Sequence, residues 1–247
     1  MSPRGPFLRA LLERDFVVVS IDHRLAPETK LPGIVEDVCD AWRWIHDVGP
    51  RRFGIDSSRM ALAGGSAGAY LSLLAGYLFE PQPRALASFW GYGDITASWE
   101  TDPSAHYRQM ELVTREDAHA SLSAPAVQDP AVGVDRSCFY LYCRQQGKWL
   151  EEVTAHDSRE DDAWFDRYCP IRNVTSDFPP TVLVHGEVDT DVPHAESARL
   201  AARLADAGVK HRFISLAGVG HGFAGARPEE AEATEAAVAD FLCAQLQ

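Results

Sequence analysis

The chain has 247 residues, 46% of them hydrophobic, with 23 basic against 36 acidic side chains and a formal net charge of −13. That length suffices for one domain that buries about 70 to 75% of its unfolded surface, while the acidic balance repels phosphate backbones and anionic lipid, so neither nucleic acid nor a membrane is an expected partner. Five scattered cysteines without C-x-x-C spacing, no apolar run of membrane-spanning length and no signal-peptide core in residues 1–6 point to a cytoplasmic protein whose cysteines are small buried filler.

Taken in chain order, residues 8–14 suit a helix leading into residues 16–22, Phe-Val-Val-Val-Ser-Ile-Asp, a β-branched run with almost no alternation. Such a run predicts a strand covered on both faces, as in a parallel sheet. Between Pro32 and Val48, the spacing of Ile34, Val38, Ala41, Trp42 and Ile45 predicts a helix that Gly49-Pro50 stops. A short strand starting at Met60 follows, then a helix over 67–78 that is apolar nearly all round, and a buried strand over 85–92. From Gly93 to Pro179 the pattern changes to mixed charges with Trp99, Tyr107, Phe139, Tyr140, Tyr142, Trp149, Trp164, Phe165 and Tyr168. Regular alternation resumes with a strand over 181–185, a helix over 193–207 ended by Gly208, a strand over 211–216 and a last helix over 228–246. The class is therefore α/β, a mostly parallel sheet flanked by helices. It forms a single domain over 1–247 with 93–179 inserted after the strand at 85–92, either as a lid or as a lobe whose aromatics fill a core of their own.

Gly64-Gly65-Ser66-Ala67-Gly68 fits G-x-S-x-G, a serine on a cramped strand-to-helix turn with its hydroxyl pushed clear. On this reading Gly64 and Gly68 are selected because a Cβ at either would clash. Functional groups in a parallel sheet collect on loops leaving the carboxyl ends of strands. Two such loops could serve Ser66: residues 186–193, with Glu187, Asp189 and Asp191, and residues 217–223, with His221 among glycines. A serine hydroxyl needs an imidazole to take its proton, and the imidazole needs a carboxylate to hold its tautomer. The order Ser66, Asp189, His221 supplies that set, with Asp191 the rival acid and Glu187 a distant third; His185 and His194 lie close in sequence to the acid loop. Neither a cofactor nor a metal is expected.

These residues resemble the α/β-hydrolases, more narrowly the hormone-sensitive-lipase-like (alpha/beta hydrolase fold-3) esterases. The segment Asp22-His23-Arg24-Leu25-Ala26-Pro27-Glu28 is similar to that family's D-Y-R-L-A-P-E, the elbow to G-D-S-A-G with Gly65 in place of the acid, His185 to Asp189 to H-G-x-x-D, and residues 220–223 to the histidine loop. The resemblance implies a carboxylic ester hydrolase: Ser66 attacks, an acyl-enzyme forms, His221 shuttles the proton, Asp189 orients it, and residues 93–179 form the cap. It also implies an oxyanion hole, for which the N–H of Ala67 is the one donor found, because no His-Gly-Gly-Gly tract is present. Each missing donor typically costs about 10² to 10³ in turnover, so impaired activity is expected, and Met1 reads as an internal methionine of a longer protein, to be checked in the upstream DNA. The partner is a small-molecule ester, and a homodimer is among the expectations. The alternatives are a peptidase or amidase, on the likeness of residues 185–193 to the corresponding loop of prolyl-oligopeptidase-like enzymes, and a non-catalytic ligand-binding protein on the same fold.

Overall fold

The computed structural model describes residues 5–120, 122 and 135–247, so residues 1–4 and part of the 93–179 insertion lie outside the described residues. In chain order the elements are α1 (Pro6–Leu12), α2 (Leu31–Phe53), β1 (Ala61–Gly65), α3 (Ala67–Leu78), β2 (Ala85–Phe89), α4 (Ser98–Thr101), α5 (Arg115–Ala120), α6 (Ser137–Gln146), α7 (Trp149–Thr154), α8 (Asp162–Asp166) and α9 (Pro170–Asn173). There follow β3 (Thr181–Gly186), α10 (His194–Asp206), β4 (His211–Leu216) and α11 (Pro228–Leu246), with short 3₁₀ turns at Tyr107–Gln109 and His221–Phe223. The described residues separate into two units, one of 5–20, Ala41–Asp94 and Cys169–Gln247, the other of Ile21–Asp40 and the described part of 95–168.

The first unit is built on one parallel sheet in the order β1-β2-β3-β4, with Leu62 opposite Leu86, Ala87 opposite Val182 and Val184 opposite Ile214. Every residue of β2 and β3 is buried, which explains why these strands read as continuous small and apolar runs. Side chains alternate between faces. Ala85, Ala87, Phe89, Val182 and Val184 meet Phe7 and Leu11 of α1 and Val238 and Leu242 of α11, while Leu86 and Leu183 meet Leu73 of α3 and Leu200 and Leu204 of α10. Each large side chain so buried contributes roughly 1.5 to 3 kcal/mol. The eight residues from Ala69 to Gly76 in α3 are all buried, as its all-round apolar composition demands.

Two expectations fail here. Residues 16–22 form no strand: β1 has β2 as its sheet neighbour, nothing of 16–22 joins the ladder, and Val17 is 59% exposed. β-branched composition states what would fit a pleated surface, but a strand also needs backbone partners. Helix α2 does not stop at Gly49-Pro50; it runs through Pro50 to Phe53 and ends where Gly54 takes φ +68°. So close to the C-terminus a proline forfeits one hydrogen bond, and the left-handed glycine is the stronger stop.

The second unit has its own small core of Ala118, Phe139 and Cys143, closed by Val113, Leu122, Tyr142 and Trp149. Burial pushes the Cys143 thiol up to about 12, so this cysteine packs as an apolar group. The aromatics here lie on one another, Tyr140 at 5.8 Å from Tyr107 and 5.1 Å from Trp149, with Arg144 over the ring of Trp99 at 4.9 Å. Arg24 grips Asp37 through Nε and Nη2 within residues 21–40, and Arg136 forks onto both oxygens of Glu28, tying that segment to the rest of this unit.

Candidate active site

Strand β1 delivers Ser66 onto a strained turn. Its φ of 55° with ψ of −122° lies outside the regions ordinary residues favour, a conformation costing of order 1 to 3 kcal/mol and characteristic of a strand-to-helix elbow. Two bonds hold it: Ser66 N–H donates to the Phe89 carbonyl at 2.9 Å and Tyr70 N–H to the Ser66 carbonyl at 3.0 Å. At Gly64 a Cβ would stand 2.2 Å from the carbonyl carbon and oxygen of Gly68, so this glycine is required by the close approach of strand and helix. Gly68 differs from expectation. Nothing outside its own helix lies within 4 Å of where its Cβ would be, and its part in the contact is to offer the backbone that Gly64 approaches. Ala67, the first residue of α3, is exposed, and its N–H is among those a helix start leaves without intrahelical partners.

The acid loop follows β3. Gly186 packs so tightly on the loop after β4 that a Cβ would lie 2.1 Å from the Val219 carbonyl oxygen, and Val188 N–H donates to that same oxygen at 3.1 Å. The carboxylate of Asp189 is fully buried and fully engaged. Oδ1 accepts from the backbone N–H groups of Asp191 at 2.8 Å and Val192 at 3.0 Å, and Oδ2 accepts from His221 Nδ1 at 2.8 Å. Burial pushes this carboxyl up, but the bonds from His185 and His221 outweigh it and hold the group well below the ordinary carboxylate range. A carboxylate only accepts, so Nδ1 of His221 carries the proton and Nε2 of the neutral ring is bare.

His221 is half-buried on the 3₁₀ turn His221–Phe223, which bends at Gly222 with φ 64°. The rival acid Asp191 reaches the other side of the same ring, with Oδ2 at 3.6 Å from Nε2, beyond hydrogen-bond length. Glu187 is turned elsewhere: Oε1 accepts from Ser215 Oγ at 2.7 Å, and Ser215 lies 2.9 Å from His194 Nε2. Thus, of the three acids in the loop, Asp189 is the one hydrogen-bonded to His221.

Trp90 escaped the sequence reading. It follows β2 with φ 42°, and its indole would meet a side chain on Gly65 at 3.1 to 3.4 Å. The same ring packs on Phe223 at 5.0 Å and on His221 at 5.9 Å, so it touches both the elbow and the histidine turn. The residue pattern places it inside a strand over 85–92, whereas β2 ends at Phe89 and leaves Trp90 one residue past the carboxyl end. Among the described residues no cluster of three or more His, Cys, Asp or Glu side chains could hold a metal ion. Nor, among them, is any helix long and apolar enough to cross a membrane.

A family model described as alpha/beta hydrolase fold matches residues 6–225. Esterase LipQ of Mycobacterium tuberculosis (strain ATCC 25618 / H37Rv) is 27% identical over 239 residues, covering 96% of this chain and 50% of LipQ. Non-reducing polyketide synthase Preu6 of Preussia isomera is 25% identical over 246 residues, covering 86% of this chain and 11% of the synthase. A solved structure of a protein of unknown function from Staphylococcus aureus subsp. aureus Mu50 superposes with a TM-score of 0.74 at 25% identity, covering 100% of this chain and 84% of that one. The chain therefore spans half the length of LipQ and about a tenth of the synthase.

Proposed function

Because the chain belongs to the alpha/beta hydrolase fold family, we propose that it hydrolyses small carboxylic esters through an acyl-enzyme on Ser66. The observation that carries this reading is the part-buried bond from His221 Nδ1 to Asp189 Oδ2 at 2.8 Å, which leaves Nε2 as a base, in a unit whose elbow holds Ser66 in a strained backbone conformation. The esterase description of LipQ supports the choice of ester over other acyl groups.

In the proposed reaction Ser66 Oγ attacks the ester carbonyl carbon while its proton passes to His221 Nε2. The imidazolium so formed is stabilised by the Asp189 carboxylate, whose charge is available because the group stays ionised. The tetrahedral oxyanion takes a hydrogen bond from Ala67 N–H. Collapse expels the alcohol, which receives the proton from Nε2, and a water molecule then repeats the sequence on the acyl-enzyme to release the acid and restore Ser66. With Ala67 as the one assigned donor, the 247-residue chain is expected to turn over slowly, each further donor being worth about 10² to 10³.

The test uses p-nitrophenyl butyrate and a fluorophosphonate label on the wild type and on Ser66→Ala. Hydrolysis and labelling that both vanish in the variant are expected. Equal hydrolysis by the two proteins, or an adduct mapped elsewhere, would refute the assignment.

A further inference from the structure

Asp189 has a second imidazole partner that the proposed reaction does not use. Nε2 of His185 lies 3.3 Å from Asp189 Oδ2, the oxygen that also receives His221 Nδ1–H, and 3.0 Å from the carbonyl oxygen of Val192. Both of those oxygens only accept, so Nε2 carries the proton. Across the ring, Nδ1 meets Ser197 Oγ at 2.7 Å, and the same hydroxyl lies 3.3 Å from the Gly91 carbonyl. His185 is completely buried in β3 and Ser197 is buried in α10. A leucine would fill this place without the desolvation that an imidazole suffers, so the histidine needs an account beyond packing.

We infer that His185 is a positioning residue for the ester hydrolysis proposed above, pinning the Asp189 carboxylate so that Oδ2 stays aimed at His221 while the imidazolium forms. The inference rests on that reading of Ser66, Asp189 and His221. Its electrostatic logic is that a neutral donor suits the task. With the proton on Nε2, the bare Nδ1 takes the single hydroxyl proton of Ser197 over the shorter 2.7 Å contact in place of the 3.3 Å contact to the Gly91 carbonyl, and such a ring fixes the carboxylate without neutralising it. The full negative charge then remains to stabilise His221 as it becomes cationic; a lysine or arginine in the same place would cancel it. Asp189 Oδ1, meanwhile, is held by two backbone donors, so each oxygen is restrained and the carboxylate has no free rotamer to visit.

The experiment compares His185→Leu, which removes both ring nitrogens, with His185→Gln, whose amide N–H can reach the same two acceptors. Three quantities are read: kcat and KM for p-nitrophenyl butyrate, the urea midpoint, and the low-field proton resonance of the His221 Nδ1–H shared with Asp189. His185→Leu is expected to lower kcat roughly 10- to 100-fold with KM within about twofold, and to lose the resonance. His185→Gln is expected to keep the resonance and to recover about tenfold or more of the lost kcat. Wild-type kcat and an intact resonance in His185→Leu would overturn the inference, as would two variants equally slow in proportion to their lost stability. If His185→Leu does not fold, Ser197→Ala strips Nδ1 of its partner and should cost about 3- to 10-fold in kcat, an unchanged kcat being the refuting result. Absence of hydrolysis and of Ser66 labelling in the wild type would defeat the reaction assignment instead, while the resonance, which needs no turnover, still decides whether His185 orders the Asp189–His221 pair.

Discussion

Two glycines flank Ser66 symmetrically in sequence, and replacing each by alanine should give opposite results. A Cβ on Gly64 would stand 2.2 Å from both the carbonyl carbon and oxygen of Gly68 and 2.6 Å from the nitrogen of Ala69. Non-bonded carbon contacts are comfortable near 3.5 to 4.0 Å, so the first turn of α3 must retreat by roughly 1 Å or more. Overpacking against side chains costs about 1 to 3 kcal/mol, and backbone cannot rotate aside, so Gly64→Ala is expected to lose about 3 to 5 kcal/mol. At Gly68 the added methyl enters open space at the second position of a helix, where alanine is favoured over glycine by up to about 1 kcal/mol. Urea unfolding followed by tryptophan fluorescence reads both changes. With a slope of about 3 kcal/mol per molar urea, the Gly64→Ala midpoint should fall by about 1 M or more while that of Gly68→Ala holds or rises. A Gly64→Ala midpoint indistinguishable from wild type, or a larger loss at Gly68, would refute the steric account.

Other consequences can be measured in the same way. Glu196 is 4% exposed, with Oε1 on Arg199 Nη1 at 3.0 Å, and burial pushes its carboxyl up to about 7, Arg199 opposing and Asp94 reinforcing the rise. The folded protein therefore keeps a proton that the unfolded chain gives up near 4.5, and stability falls by up to about 3 kcal/mol as the pH climbs from 4.5 to 7. Glu196→Gln should flatten that slope and be the more stable protein at pH 8; urea midpoints at pH 5 and pH 8 that decline equally in both proteins would contradict it. Asp189→Asn should cost about 10³ to 10⁴ in kcat by favouring the wrong His221 tautomer, whereas Glu187→Gln, engaged with Ser215, should cost less than about threefold. Steady-state assays in which the two are equally damaging would show that the wrong acid has been chosen. A side chain at Gly65 would press on the Trp90 indole, so the stability effects of Gly65→Ala and Trp90→Ala should couple, and additivity in a double-mutant cycle would deny the contact.

Much of this was written in the residue order. The buried strands β2 and β3, the apolar helix α3, and the pairing of a carboxylate in residues 186–193 with His221 follow from periodicity and from the rule that strand ends carry function. Residues 16–22 misled because apolar β-branched composition reports tolerance for a sheet, whereas pairing depends on a neighbour that lies elsewhere in the chain. Pro50 misled because its weight depends on how near the helix already is to its end. Asp189 already stood ahead of Asp191 in the sequence, whereas the backbone donors at its Oδ1 and the parts of Trp90 and His185 turned on contacts that have no local signature.

The clasp between Gly186 and Val219 has a thermodynamic meaning of its own. Because the two loops meet backbone to backbone, the spacing of Asp189 and His221 is set when β3 and β4 zip together, and the orientational entropy of the pair is surrendered once, at folding. Opening that ladder would therefore separate the pair. Amide hydrogen exchange along Thr181–Gly186 and His211–Leu216 should accordingly gain speed at the same temperature at which the Asp189–His221 bond is lost, each acting as a thermometer for the other.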